Sequence, residues 1–151
     1  MLNELFNYKD GNLYWAASRQ GVKVGGRAGT LNNNGYRHVR VDGKLVGEHR
    51  IIYEMFNGPI PDGMQIDHIN GVRDDNRIEN LRVVTITENH HNRKTVKGFT
   101  FRKSEGKFQA YIQVGDKQVS LGYHETPVDA RAAYLRAKRK YHVSTPNEYY
   151  L

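Results

Sequence analysis

MQIDHINGVRDDNRIENLRVVTITENHHNR, residues 64–93, is the stretch that decides the fold. Met64 to His68 reads as a short strand that ends at the turn pair Asn70-Gly71, and a polar loop from Val72 to Asn80 follows. Leu81-Arg82-Val83-Val84 is a second strand. Thr85-Ile86-Thr87-Glu88 then has the spacing of a capping box, with Thr85 as N-cap and Glu88 reaching back. A helix begins there and carries Asn89, His90, His91, Asn92 and Arg93. Strand, long loop, strand and short helix predict a compact ββα unit over about 64–93.

Working outward toward the N-terminus, Leu5–Tyr8 and Leu13–Trp15 flank an Asp10-Gly11 turn and predict a hairpin. Residues 18–35, rich in Gly, Asn and basic side chains, read as loop or irregular strands. Tyr36 to Val41 alternates with period two, turns at Asp42-Gly43 and returns through Lys44-Leu45-Val46. After Glu48 the pattern is helical, with Ile51, Ile52, Met55 and Phe56 on one face, until Asn57-Gly58-Pro59 stops it. Toward the C-terminus, a basic linker at 94–98 precedes strands at Phe99–Arg102, Lys107–Val114 and Gln118–Tyr123. A helix from Pro127 to Tyr141 follows, N-capped by Thr126, with Ala130, Ala133, Tyr134 and Ala137 as its apolar stripe. The fold class is α+β: N-terminal hairpins leading into the ββα unit over 1–93, then a small three-stranded antiparallel sheet plus one helix over 99–143. The tail, 144–151, has no assignment.

Composition narrows the function. The 151 residues hold no Cys, which removes disulfides, thiolate zinc sites and a cysteine nucleophile. Mean hydropathy is −0.76, and no stretch approaches the roughly 20 apolar residues of a membrane span. The N-terminus lacks a secretory apolar region, so a cytoplasmic protein is expected. A formal charge of +7, more than half of it beyond residue 97, suits a polyanionic partner.

The densest group of chemistry-bearing residues is Asp67-His68 with Asn80 and Asn89-His90-His91-Asn92. Asp67 and His68 point to opposite faces of an ordinary strand, but a strand ending here lets both reach one site. A carboxylate and an amide oxygen are hard ligands suited to Mg²⁺ or Mn²⁺, and a neighbouring imidazole can deprotonate a water. The same residues also suit a turn Asp, a half-buried His and a polar helix start. His90 and His91 diverge by about 100° on a helix and do not chelate one ion together. No P-loop, calcium loop, G-x-S-x-G or H-E-x-x-H occurs.

The runs His49-Arg50-Ile51-Ile52, Asn57-Gly58-Pro59-Ile60-Pro61, Gln65 to Gly71 and Asp75 to Thr85, ending at Glu88-Asn89, together resemble the phage and intron-associated HNH endonucleases. The resemblance covers about 45–93 and keeps 12 residues between Asp67 and Asn80 and 8 between Asn80 and Asn89. It implies that His68 is the general base and that Asp67 and Asn89 hold one divalent ion, Mg²⁺ or Mn²⁺, with no other cofactor. It implies that Asn80 ties the loop so that His68 is oriented. Many relatives carry His at the third motif position, where this chain has Asn89 followed by His90 as an alternative ligand. His49 and Arg50 also fall in the pattern, as active-site or phosphate contacts. The implied reaction is hydrolysis of double-stranded DNA to 5′-phosphate and 3′-hydroxyl ends by a homing-type phage or mobile-element enzyme. With one site per chain, a monomer or weak dimer is expected to nick.

In the C-terminal segment, alternation puts Phe108, Ala110, Ile112, Val114, Val119 and Leu121 on one sheet face. Lys107, Gln109, Tyr111, Gln113, Gln118 and Ser120 fall on the other. Gln reads adenine edges and Lys meets phosphate, so this face suits a DNA groove, although an ordinary polar face has the same pattern. Gly106 to Ile112, Leu121-Gly122-Tyr123 and Thr126 to Tyr134 resemble the DNA-binding domain of plant APETALA/ethylene-response factors. That resemblance places DNA contacts on Arg102 or Lys103, Tyr111, Gln113, Gln118 and Ser120. Two further readings stay open: a non-catalytic DNA-binding protein on a nuclease scaffold, and a structure-directed nuclease.

Overall fold

Two Asp-Gly turns shape the N-terminal region. Asp10 (φ 49°) with Gly11 (φ 80°), and Asp42 (φ 47°) with Gly43 (φ 79°), sit in the left-handed region that tight hairpins require. The first joins β1 (Phe6–Lys9) to β2 (Asn12–Trp15), and the second joins β4 (Arg37–Val41) to β5 (Lys44–Gly47). This computed structural model describes residues 1–93 and 96–145. Residues 94–95 of the expected linker and 146–151 of the tail lie outside the described residues. The chain divides into two compact units, Met1–Asn89 and His90–Leu151.

In the first unit, Leu2–Leu5 form a single helical turn, α1, where a strand was expected from Leu5, and pairing starts one residue later at Phe6↔Trp15. The irregular region 18–35 contains β3 (Thr30–Leu31), which joins the edge of β4 through Thr30↔His38 and Leu31↔Arg37. α2 (Glu48–Asn57) buries Ile51 and Ile52, and it ends at Gly58 with φ 82°. Phe56, expected on the buried face, is half exposed in the last turn and meets the Tyr8 ring edge-on at 5.0 Å. β6 (Met64–His68) pairs antiparallel with β7 (Leu81–Thr85), in register from Met64↔Thr85 to His68↔Leu81. α3 (Ile86–His91) follows directly. Its capping box is formed: the Thr85 amide donates to Glu88 Oε2 at 2.8 Å, and the Glu88 amide donates to Thr85 Oγ1 at 3.2 Å. Phe6, Leu13, Ala28, Val39, Ile51, Ile52, Ile66 and Leu81 make one buried core, which seats α2 against the β6–β7 hairpin.

The second unit is an antiparallel sheet in the order β10-β9-β8 (Lys117–His124, Lys107–Val114, Phe99–Arg102) with α4 (Pro127–Tyr141). Thr126 caps α4 by accepting from the Asp129 amide at 3.1 Å, with Pro127 in the first turn. Ala110 and Ile112 pack on Ala130, Ala133, Tyr134 and Ala137, flanked by Phe99, Phe108, Val114, Val119 and Leu121. Gly98, at φ 77°, lies so close to Tyr134 that a Cβ there would meet its Cγ at 2.1 Å. A bulge between Ser120 and Tyr123 shifts the β9–β10 register. The structure also buries Lys138 completely, a residue with no distinguishing mark in the sequence. Its ammonium donates to the His91 carbonyl and lies 3.3 Å from His142 Nδ1, and the His142 ring stacks on His91 at 3.5 Å. Burial, with Arg131 nearby, lowers the Lys138 pKa to about 8. Among the described residues no helix is long and apolar enough to cross a membrane.

Candidate active site

β6 keeps its ladder to the last residue, and this decides where the two central side chains go. Because Asp67↔Arg82 and His68↔Leu81 are both paired, alternation continues through His68. The strand ends at His68, just before the expected Asn70-Gly71 turn, but that end does not turn the two side chains to one side. Ile66 and His68 face the core side, whereas Gln65 and Asp67 face the side of Arg82 and Asn89. His68 is the final residue of β6.

On the core side, His68 is 6% exposed and packs among aromatic rings. The His49 ring centroid lies 5.2 Å away and that of Tyr36 6.1 Å away, with Tyr36 and His49 5.6 Å apart. His68 Nε2 is 2.8 Å from Asn76 Oδ1, and Asn76 Nδ2 donates to Glu48 Oε2 at 3.0 Å. Asn76 is 1% exposed and Glu48 fully buried. Glu48 also accepts from the Leu13 amide at 2.9 Å and is ion-paired with Arg27, while Arg37 Nε stands 3.6 Å away. Burial, with His68, Arg50 and His38 nearby, pushes the His49 pKa down to about 3, so its imidazole is neutral at pH 7. His49 Nδ1 is buried and has no hydrogen-bond partner among the described residues.

On the other side, Arg82 grips Asp67 Oδ2 with Nε at 3.1 Å and Nη2 at 3.0 Å. Asn89 Nδ2 donates to Gln65 Oε1 at 2.6 Å. An amide whose NH₂ is so engaged has its oxygen left as the donor atom, and that oxygen and the Asp67 carboxylate are each hard donors of the kind Mg²⁺ or Mn²⁺ prefers. The residues present therefore fit such an ion, although no cluster of three His, Cys, Asp or Glu forms among the described residues. His90 is exposed and Arg50 partly so.

Asn80, 6% exposed, bridges the loop: Oδ1 accepts from the Asn70 amide at 3.0 Å, and Nδ2 donates to Asn70 Oδ1 at 3.0 Å and to the Asp75 carbonyl at 2.8 Å. Asp75 is locked further by Arg77, whose guanidinium holds the Asp75 pKa at about 2. Asn76 is the side chain hydrogen-bonded to His68, whereas Asn80 ties the loop at Asn70 and Asp75. Sequence reading passed over Asn76, Glu48, Gln65 and Arg82. For Gln65 and Arg82 a signal was present, because strand alternation places both beside Asp67.

In the second unit Gln109, Tyr111 and Gln113 share the sheet face away from α4, and Tyr111↔Ser120 and Gln113↔Gln118 are cross-strand partners. Gln113, Gln118, Ser120, Arg102 and Lys103 are exposed, while Tyr111, Gln109 and Lys107 are partly covered. Arg102 Nε donates to Gln109 Oε1 at 2.8 Å, Gln113 Nε2 donates to the Gly115 carbonyl at 3.0 Å, and Lys107 pairs with Glu125 at 2.8 Å.

Residues 46–91 match the family model described as HNH endonuclease. The chain is 30% identical over 106 residues to Protein 3.8 of Escherichia phage T7, an alignment covering 66% of this chain and 87% of that protein. It is 41% identical over 58 residues to Protein 7.7 of the same phage, covering 38% of this chain and 42% of that one. Among solved structures it is similar to the HNH homing endonuclease I-HmuI, in work on DNA binding and cleavage by that enzyme. The identity is 26% and the TM-score 0.45, and the match covers 58% of this chain and 50% of that one.

Proposed function

Since the chain belongs to the HNH endonuclease family, we propose that it hydrolyses DNA phosphodiester bonds with a divalent metal ion, nicking one strand per encounter. His68 is the general base: its imidazole takes a proton from water as the water oxygen bonds to phosphorus and the bond to the 3′-oxygen breaks, leaving 5′-phosphate and 3′-hydroxyl ends. Asp67 and Asn89 hold the ion, Mg²⁺ or Mn²⁺, with His90 as the alternative to Asn89. When bound, it supplies charge neutralisation at the phosphoryl group and the leaving oxygen. Asn80 fixes the 70–75 loop that follows the base, and His49 and Arg50 border the phosphate. The observation that carries this reading is a buried histidine ending β6, held by a hydrogen bond, with Asp67 one residue before it.

The second unit, with its resemblance to APETALA/ethylene-response domains, serves as a targeting module whose outer sheet face meets double-stranded DNA. A mobile-element or phage homing enzyme, working in the bacterial cytoplasm as a monomer or weak dimer, fits these features. Conversion of supercoiled plasmid with Mg²⁺ or Mn²⁺ tests the chemistry. Nicked circles are expected from the wild type, and neither His68→Ala nor an EDTA control should form them. A protein that shifts DNA in a gel yet never cuts it would instead be a binding protein on this scaffold.

A further inference from the structure

We propose that Glu48 and Asn76 are positioning residues that fix the tautomer of His68, placing its proton on Nε2 and its lone pair on Nδ1. This inference rests on reading His68 as the base and deepens it by naming the atom that receives the proton.

The roles follow one another without freedom. The Glu48 carboxylate, ion-paired with Arg27, only accepts hydrogen bonds. The Asn76 group 3.0 Å from Glu48 Oε2 must therefore be the NH₂, which turns the amide oxygen toward His68. An amide oxygen also only accepts, so the ring nitrogen 2.8 Å from it must carry the hydrogen, and that nitrogen is Nε2. A neutral imidazole with Nε2 protonated has its basic lone pair on Nδ1. Glu48 and Asn76 are 28 residues apart, and both are buried to within 1% of complete. Water therefore offers Asn76 no alternative partner to release the orientation.

The arrangement makes an unusual prediction about a substitution that does not touch His68. In Glu48→Gln, the Oε1 position keeps the fixed Leu13 amide at 2.9 Å and the close Arg27 Nη1, whereas at Oε2 the competing Arg27 Nη2 contact is the longer one, 3.2 Å, so the amide oxygen stays at Oε1 and its NH₂ faces Asn76. Two NH₂ groups cannot face each other, so Asn76 rotates and presents its own NH₂ to His68. Nε2 then becomes an acceptor, and the proton moves to Nδ1. Adding Asn76→Asp to Glu48→Gln restores an acceptor at both contacts and returns the original tautomer.

The test combines two readouts on the full chain. Long-range ¹H–¹⁵N correlation of histidine-labelled protein, at alkaline pH where histidine is neutral, reports which ring nitrogen of His68 is protonated. Plasmid nicking gives kcat and KM, and a thermal melt confirms folding. Wild type should show Nε2–H. Glu48→Gln should show Nδ1–H, with kcat reduced about 10- to 100-fold as is typical for lost outer-shell support, and KM for DNA unchanged. The double variant should recover both the spectrum and kcat. A wild-type Nδ1–H pattern, or a Glu48→Gln protein that folds and keeps Nε2–H, overturns the proposal. If His68→Ala still cuts DNA, it is the base reading that fails, because the spectrum decides the tautomer independently of cleavage.

Discussion

His49 shows what a single half-buried imidazole does to stability. Its pKa lies near 3 in the folded chain against 6.5 when solvated. Between those values the unfolded chain binds a proton that the folded chain refuses, so acidification favours unfolding. The contribution is absent above pH 6.5 and reaches about 1.4 kcal/mol per pH unit within the window. His142 also titrates low, so the clean measurement is a difference. Urea melts at pH 7, 5.5 and 4.5 should show wild type losing stability faster than His49→Leu, and parallel losses would mean that His49 is protonated in the folded protein. Asp75 acts in a lower window, losing its stabilising pairing with Arg77 only as pH falls from 3.8 toward 2. Single residues of this kind were unequally legible. Asp67, His68, Asn80 and Asn89 stand out because their types and spacing form a pattern along the chain. Glu48 and Asn76 do not, because their meaning arises only where α2 and the 70–77 loop meet in space.

At the scale of elements, α3 is six residues long and carries a candidate metal ligand, so its cap matters more than in a long helix. Thr85 satisfies the Glu88 amide, and Glu88 answers through the Thr85 amide. Thr85→Ala should cost about 1 kcal/mol and loosen Asn89, lowering Mn²⁺ affinity severalfold in calorimetric titration. A lowered melting point with unchanged affinity would separate the cap from the metal site. This cap, the Asp-Gly hairpins and the α4 stripe were legible because each is written in neighbouring residues. α1 and β3 were not. Leu5 has the same apolar character whether it ends a helical turn or starts a strand. Thr30-Leu31 gains its partners only from β4, across the Asn32–Gly35 turn. Alternation likewise foretold the two sides of β6, and the strand ends where its turn pair predicts; only the inference that this end brings Asp67 and His68 to one side is not met.

For the whole molecule, the proposed reading of a basic chain of charge +7 in two units would divide affinity and specificity between different side chains. Phosphate contacts from Lys and Arg govern affinity and its salt dependence, whereas Gln reads base edges. Lys103 is exposed at a turn, so Lys103→Ala should weaken binding to all sequences alike and reduce the salt slope by about 1. Gln113 and Gln118 face each other across β9 and β10 on the outer sheet. Replacing both with Ala should narrow the gap between a preferred site, found by sequencing nicked ends, and random DNA, while leaving the salt slope unchanged. Neither change touches His68, Asp67 or Asn89, so the nicking rate on saturating DNA should stay at the wild-type value. Preference that survives loss of both glutamines, and instead follows a substitution at Arg50 in the first unit, would move sequence readout from the sheet to the nuclease itself.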